Sequence, residues 1–257
     1  MTNIVIVFLR DLLPIFILIC YATEIPQHFA YSKGKWITMV VIGVLGSVVI
    51  WGNVEIFVDW FEGAGMEVVY TLMIMLSYLM FVLAWLASPK NAKALLFTGV
   101  ALFVCYKLTE FLIFFEVVTQ QQVGFLNAGL GVIFGIGICS SFAVLFKFAL
   151  SQIGQTKYRY FIILCWSMFL AGLLSQISPL LAQVDFVNTG VSVFNLSDYV
   201  SDSSEYGHLL NALIGYESSP DATYLAIYSI AFLVSLLVYK FRRGQQHAVI
   251  SGALSHE

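Results

Sequence analysis

Apolar residues crowd into seven stretches, roughly 4–22, 36–57, 66–88, 94–118, 124–150, 159–184 and 222–241. About 20 apolar residues cross the hydrocarbon core of a bilayer as a helix, so each stretch predicts one span. Short polar turns separate most of them: 32–35 (Ser-Lys-Gly-Lys), 88–91 (Ser-Pro-Lys-Asn), 120–122 (Gln-Gln-Gln) and 154–157. The long connection is about 185–221, and its size marks it as a candidate functional segment. No basic leader or small-residue cleavage site is visible at the start, so residues 1–22 read as a retained helix. The expected organisation is a membrane domain over 1–243 and a cytoplasmic tail over 244–257.

Composition agrees with this pattern. Of 257 residues, 60% are apolar and 11% charged, and the mean hydropathy is +0.90. A soluble domain carries about 25% charged residues, so a water-exposed globule is excluded. The expected fold class is an all-α polytopic membrane protein with seven transmembrane helices. Lys33, Lys35, Lys90, Lys93, Lys147, Lys157, Arg159, Lys240, Arg242 and Arg243 all follow odd-numbered spans, and no Lys or Arg follows an even-numbered one. The positive-inside rule then puts the N-terminus outside and the C-terminus in the cytoplasm. Asp59, Glu62, Asp185, Asp198, Asp202, Glu205, Glu217 and Asp221 fall on the outer side. They form either a cation-collecting mouth or merely what remains of a loop depleted of basic residues.

Arg10 and Lys107 are the two basic residues left inside apolar stretches, beside Asp11 and Glu110. A charge near the bilayer centre costs about 2.5–3.5 kcal/mol on the insertion scale, so the four should face the bundle and one another. At 1.5 Å per residue, Asp11 and Glu110 lie roughly 10 and roughly 12 Å below the outer helix ends, at a common level. Lys107 and Glu110 share a helix face. An intramembrane network of Arg10, Asp11, Lys107 and Glu110 is expected, with Glu67 and Glu116 nearer the outer surface, either as continuations of a polar path or simply as solvated side chains. The network is either a transport site or a satisfied lock between helices. Spans one to three and four to six each open with a basic and an acidic residue. This suggests two inverted three-helix repeats plus a seventh helix, with a site between the copies.

The remaining signals are weaker. Cys20, Cys105, Cys139 and Cys165 lie in apolar stretches without CxxC spacing and read as packing residues. Gly129, Gly131, Gly135 and Gly137 suit close helix contact. His208, near Asp202 and Glu205, is a metal or pH candidate with solvation as the plainer alternative. His28, His247 and His256 have no partner at ligand spacing. No catalytic triad, carboxylate pair or basic nucleic-acid face is visible, so neither enzyme activity nor nucleic-acid binding is expected.

Residues 194–220 contain Leu196-Ser197, Asp202-x-Ser204-x-x-Gly207 and Leu209-Leu210-x-Ala212-Leu213-x-Gly215-Tyr216-x-x-x-Pro220. This segment resembles the one before the last helix of the oxidase-linked ferric permeases, the high-affinity iron permease family. The resemblance implies seven helices with the N-terminus outside, iron as the transported ion, and R-E-x-x-E motifs in spans one and four as the source of its carboxylates. Those motifs stand here in altered form, as Arg10-Asp11-Leu12-Leu13-Pro14 and Lys107-Leu108-Thr109-Glu110. Glu67 matches an acidic position of the family. Asp11, Glu110, Glu67 and Glu116 are the expected metal-facing residues, since hard cations favour oxygen ligands. Two intact motifs carry a surplus of two negative charges, whereas this set of four sums to zero. Pro14 frees the Arg10 carbonyl in mid-helix, as a ligand, a hinge or a tolerated kink.

Two functions are therefore expected from different classes. One is a permease-like protein of a bacterial inner membrane that takes up a metal cation, by resemblance iron. Its partners would be the bilayer and a periplasmic iron-binding protein, an oxidase or a cytochrome; no resident cofactor is implied. The other is a permease-derived, non-transporting structural or assembly subunit of a larger membrane complex.

Overall fold

A computed structural model of the chain describes residues 6–24, 33–120, 125–154, 159–187 and 192–254. The turns at 25–32, 121–124 and 155–158, with His28 and Lys157, lie outside that set. So do residues 188–191 and both chain ends, His256 among them.

Most of the described residues are helical, with no strand among them. The first described helical segment carries a π turn, Phe8–Leu12, that runs into α1 (Leu13–Glu24). Pro14 accounts for this wide turn: it donates no N–H, and its ring crowds the carbonyl four residues back. A single π turn is the usual form in which an α-helix accommodates such a defect. The second span, α2 (Lys33–Trp51), breaks at Gly52-Asn53 and continues as α3 (Val54–Val58), so the apolar run expected over 36–57 is two helices. A tight turn carries Phe61 and Glu62 at positive φ before α4 (Gly65–Leu86). Pro89 occupies the first helical position of α5 (Pro89–Gln120), where its missing donor costs nothing. Then come α6 (Phe125–Gly154), α7 (Arg159–Ser175) and α8 (Ile177–Gln183), the last two forming one span interrupted at Gln176.

The long connection is not merely a loop. It contains α9 (Glu205–Ile214) before the final helix, α10 (Ala222–Leu254). α10 runs well past residue 243, so most of the stretch expected as a tail has helical backbone.

Among the described residues, five helices are long and apolar enough to cross a membrane: Gly34–Trp51, Gly65–Leu86, Gly129–Gly154, Tyr160–Gln183 and Ala222–Arg242. Their surroundings differ. Buried residues make up 67% of the Tyr160–Gln183 window but 17% of those in α6 and α10. The outward faces carry Val44, Leu45 and Val48 on α2, Val144, Leu145 and Phe148 on α6, and Leu233 and Leu237 on α10. Apolar surface this continuous would aggregate in water, and it suits lipid. The interior is built from α7, which packs on α10 and α9, from α5 against α2 and α4, and from α6 against α1.

The segment around α9 is fastened residue by residue. Ser204 caps α9, accepting from the Gly207 N–H at 3.0 Å. Gly207 lies against the Ser201 carbonyl, where a Cβ would not fit. The Asp202 carboxylate accepts from the Ser218 N–H at 2.8 Å and from the Ser218 hydroxyl. Gly215 ends α9 in the left-handed region (φ 68°) and meets Gly172 of α7 backbone to backbone, so a Cβ on either would sit 2.1–2.4 Å from the other's Cα. Only glycine suits both requirements. Tyr224 and Tyr228 of α10 donate to the carbonyls of Gly215 and Ile214, each at 2.8 Å. Asp221 caps α10 through the Tyr224 N–H at 2.6 Å. Ser201, Asp202, Ser204, Gly207, Gly215 and Ser218 are thus among the groups that fold this helical cap.

Candidate ion-pair site at the centre of the bundle

The π turn of the first span is the meeting point of the fold: α5, α6 and α9 all pack on it. Phe8 is fully buried, its ring edge-on to Phe111 of α5 at 5.0 Å. Gly135 of α6 makes room for it, since a Cβ there would stand 2.4 Å from the Phe8 ring. This close packing fixes the next turn, which bears Arg10 and Asp11.

Those two neighbours pair with each other. Arg10 Nε and Nη2 donate to the two carboxylate oxygens of Asp11 at 2.7 and 3.0 Å, a fork-to-fork arrangement. Asp11 has no solvent exposure. The Arg10 side chain is 37% exposed, and its guanidinium also lies 4.5 Å above the Phe114 ring of α5. A cation so placed gains from the negative face of the ring, and this contact ties the π turn to α5.

The second pair lies on α5. Lys107 Nζ donates to Glu110 Oε2 at 2.9 Å, the i, i+3 contact that the sequence spacing allows. Lys107 is buried, and Nζ also reaches the Tyr106 hydroxyl at 3.4 Å and the Tyr106 ring at 4.7 Å. Tyr106 in turn donates to Gln176 Oε1 at 3.0 Å, the residue at which the sixth span is interrupted. The ion pair is thereby connected to α7 and α8.

The two pairs do not exchange hydrogen bonds, yet they share one field. Asp11 interacts electrostatically with Lys107 and Glu110 as well as with Arg10, and Glu110 also interacts with Arg10. Two cations face two carboxylates, so the group is neutral. Glu67, in the first turn of α4, borders it through Tyr70. That tyrosine lies 5.4 Å from Tyr106, ring to ring, and within the fields of Glu67, Asp11 and Glu110. Glu116 stands apart: it is exposed at the rim and accepts from Trp51 Nε1 at 2.9 Å. The four expected metal-facing acids therefore divide into Asp11 and Glu110 inside, Glu67 alongside and Glu116 outside. Among the described residues, no group of three or more His, Cys, Asp or Glu side chains is placed to hold a metal ion.

The cap reaches the same place. α9 packs on the π turn, on α1 and on α7, and its His208 lies in the fields of Arg10 and Asp202. Burial first, then the Arg10 cation, holds the His208 imidazole below its ordinary value, against the opposing pull of Asp202. Nearby, burial followed by the charges of Asp202 and Asp221 pushes the Glu217 carboxyl up.

Sequence reasoning found the four charges but not Tyr106, Gln176, Phe114 or the position of His208. Gln176 carried a usable signal, since a Gln between two serines and ahead of Pro179 is out of place in an otherwise apolar span. Compared with known proteins, the chain matches no family model, no curated protein and no solved structure.

Proposed function

We propose that this chain is a seven-span permease of a bacterial inner membrane, N-terminus outside, that moves a metal cation inward. Iron is the cation implied by the resemblance of residues 194–220 to the ferric permeases. The observation that carries this reading is the convergence at the π turn. An interrupted first span presents Asp11 against the fourth span and its Glu110, beneath a helical cap and beside an interrupted sixth span. Discontinuous helices at the level of buried charges are how transporters commonly build ion sites. A cation entering there would exchange Arg10 and Lys107 for itself on the two carboxylates.

The packing also supports an inverted repeat. Span one packs on span five (α1 on α6), and span four on span two (α5 on α2). Exchanging one with four and two with five turns the first contact into the second. The orientation draws support from the ends: Arg242 donates to the Leu86 carbonyl at 3.2 Å, so the ends of spans three and seven share a level, the inner one by the charge rule.

A specific observation favours a second reading, a permease-derived structural subunit. Both ion pairs are closed and together neutral, as a lock between helices would be. Radiolabelled iron uptake into proteoliposomes, for the parent, Asp11→Asn and Glu110→Gln and normalised to folded protein, separates the two. Saturable uptake lost in both variants supports the permease. No saturable uptake in the parent with either ferrous or ferric iron, together with stoichiometric co-purifying subunits, supports the lock.

A further inference from the structure

A cation that takes the Glu110 carboxylate must displace Lys107, and the displaced ammonium needs somewhere to go. The two cations of the group differ in this respect. Arg10 is 37% exposed and keeps the face of the Phe114 ring at 4.5 Å. Lys107 is only 5% exposed, and an ammonium left without a partner inside the protein is strongly destabilising. Among the described residues its acceptors are Glu110 Oε2 at 2.9 Å and the Tyr106 hydroxyl at 3.4 Å. The first distance is that of a full charge-assisted bond, and the second lies beyond the usual range for one. About half an ångström of approach to Tyr106 is therefore unused.

Three observations fit Tyr106 to receive the charge. Its hydroxyl proton is committed to Gln176 Oε1 at 3.0 Å. That leaves the oxygen lone pairs to accept, and a hydroxyl that donates in this way accepts more strongly. Its ring centre lies 4.7 Å from Lys107 Nζ, where a cation is attracted to the ring face. The ring is itself buried and packs edge-on to Tyr70 at 5.4 Å, which holds it in place. Gln176 supplies the anchor. It stands at the N-cap of α8, yet its side chain makes no capping bond to that helix. Its carbonyl oxygen is spent instead on Tyr106, 70 residues before it in the chain.

We propose that the Tyr106 hydroxyl, set by Gln176, is a second seat for the Lys107 ammonium, taken up when a cation occupies Glu110. Tyr106 and Gln176 are positioning residues: they act through Lys107, and they set how readily the cation binds by giving the displaced lysine a partner. The occasion for the move rests on the cation reading proposed above. The seat itself does not, because any change that removes the Glu110 charge calls it into use.

Equilibrium unfolding of the intact protein in mixed dodecylmaltoside–SDS micelles reads the seat without iron. Gln176→Met, and separately Tyr106→Phe, should shift the unfolding constant about tenfold more in the Glu110→Gln background than in the parent. In the parent Lys107 still holds Glu110; in Glu110→Gln the seat is what the ammonium has left. The excess should vanish once Lys107→Met is added. Equal shifts in both backgrounds, or an excess that survives Lys107→Met, overturn the proposal. Iron uptake into proteoliposomes reads the handover and needs no Glu110 variant. The half-saturating iron concentration should rise several-fold in Gln176→Met, and Gln176→Met should leave it unchanged when made in Lys107→Met. No rise in the first case, or a rise of the same size in both, shows a merely structural role and overturns the handover. A parent without saturable uptake overturns the cation reading alone, and the seat then stands or falls by the unfolding cycle.

Discussion

The Lys107–Glu110 pair gives an asymmetric prediction. The partners differ in exposure: the Lys107 side chain is 5% exposed and that of Glu110 30%. Removing one member of a fully buried pair costs about 3–5 kcal/mol, because the other is left as an uncompensated charge. Glu110→Gln strands an ammonium with almost no route to water, so the cost should be about 3–4 kcal/mol, eased by the nearby Asp11 charge. Lys107→Met strands a carboxylate that is less enclosed by the protein, so its cost should be smaller, about 2 kcal/mol after discounting for that exposure. The double variant buries neither charge and should cost under about 1 kcal/mol. Equilibrium unfolding in mixed dodecylmaltoside–SDS micelles gives the three values. At 1.4 kcal/mol per tenfold, the single variants should shift the unfolding constant by roughly 100- to 700-fold and roughly 30-fold. The reasoning fails if Lys107→Met costs as much as Glu110→Gln, or if the double variant costs the sum of the singles, which would mean the two groups are uncoupled.

Three further outcomes are expected. Gly63→Ala, at φ 101° with open space around it, should cost only the left-handed backbone penalty of about 1–2 kcal/mol; Gly215→Ala adds overlap with Gly172 and should cost about 2–5 kcal/mol in the same unfolding assay. Because His208 is held below its ordinary value, the folded cap binds fewer protons than the unfolded one. Its stability should therefore fall as pH drops through about 6.5 and level off below the folded-state value. Hydrogen exchange of α9 amides, corrected for intrinsic rates, should show this slope and its loss in His208→Gln. Asp221→Ala removes the cap on α10 and should cost about 1 kcal/mol, with faster exchange confined to the first turn of that helix.

The helices were legible because apolar runs of this length have few alternatives to crossing a bilayer. Lys107 and Glu110 were legible because their spacing alone sets them on one face. Arg10 and Asp11 were expected to reach across to the other pair, whereas they close on each other. Adjacent residues on a regular helix diverge by about 100°, and the side-chain geometry of a π turn is not written in composition. The helix α9 was concealed in a segment read as a connection, since its ten residues are too few and too polar to register as a span. Its cap at Ser204 and its stop at Gly215 were present in the sequence, but their meaning depends on Gly172, more than forty positions away in another span.

That contact between Gly172 and Gly215 limits how α7 and α9 are able to move past each other. Two backbones pressed together without side chains leave no slack for sliding, and Tyr224 and Tyr228 bind the same corner from the last helix. α9, α7 and the start of α10 should travel as one rigid block. Any parting of α9 from the π turn on which it packs would then carry α7 and α10 with it, with the hinge elsewhere, and not proceed by α9 lifting alone.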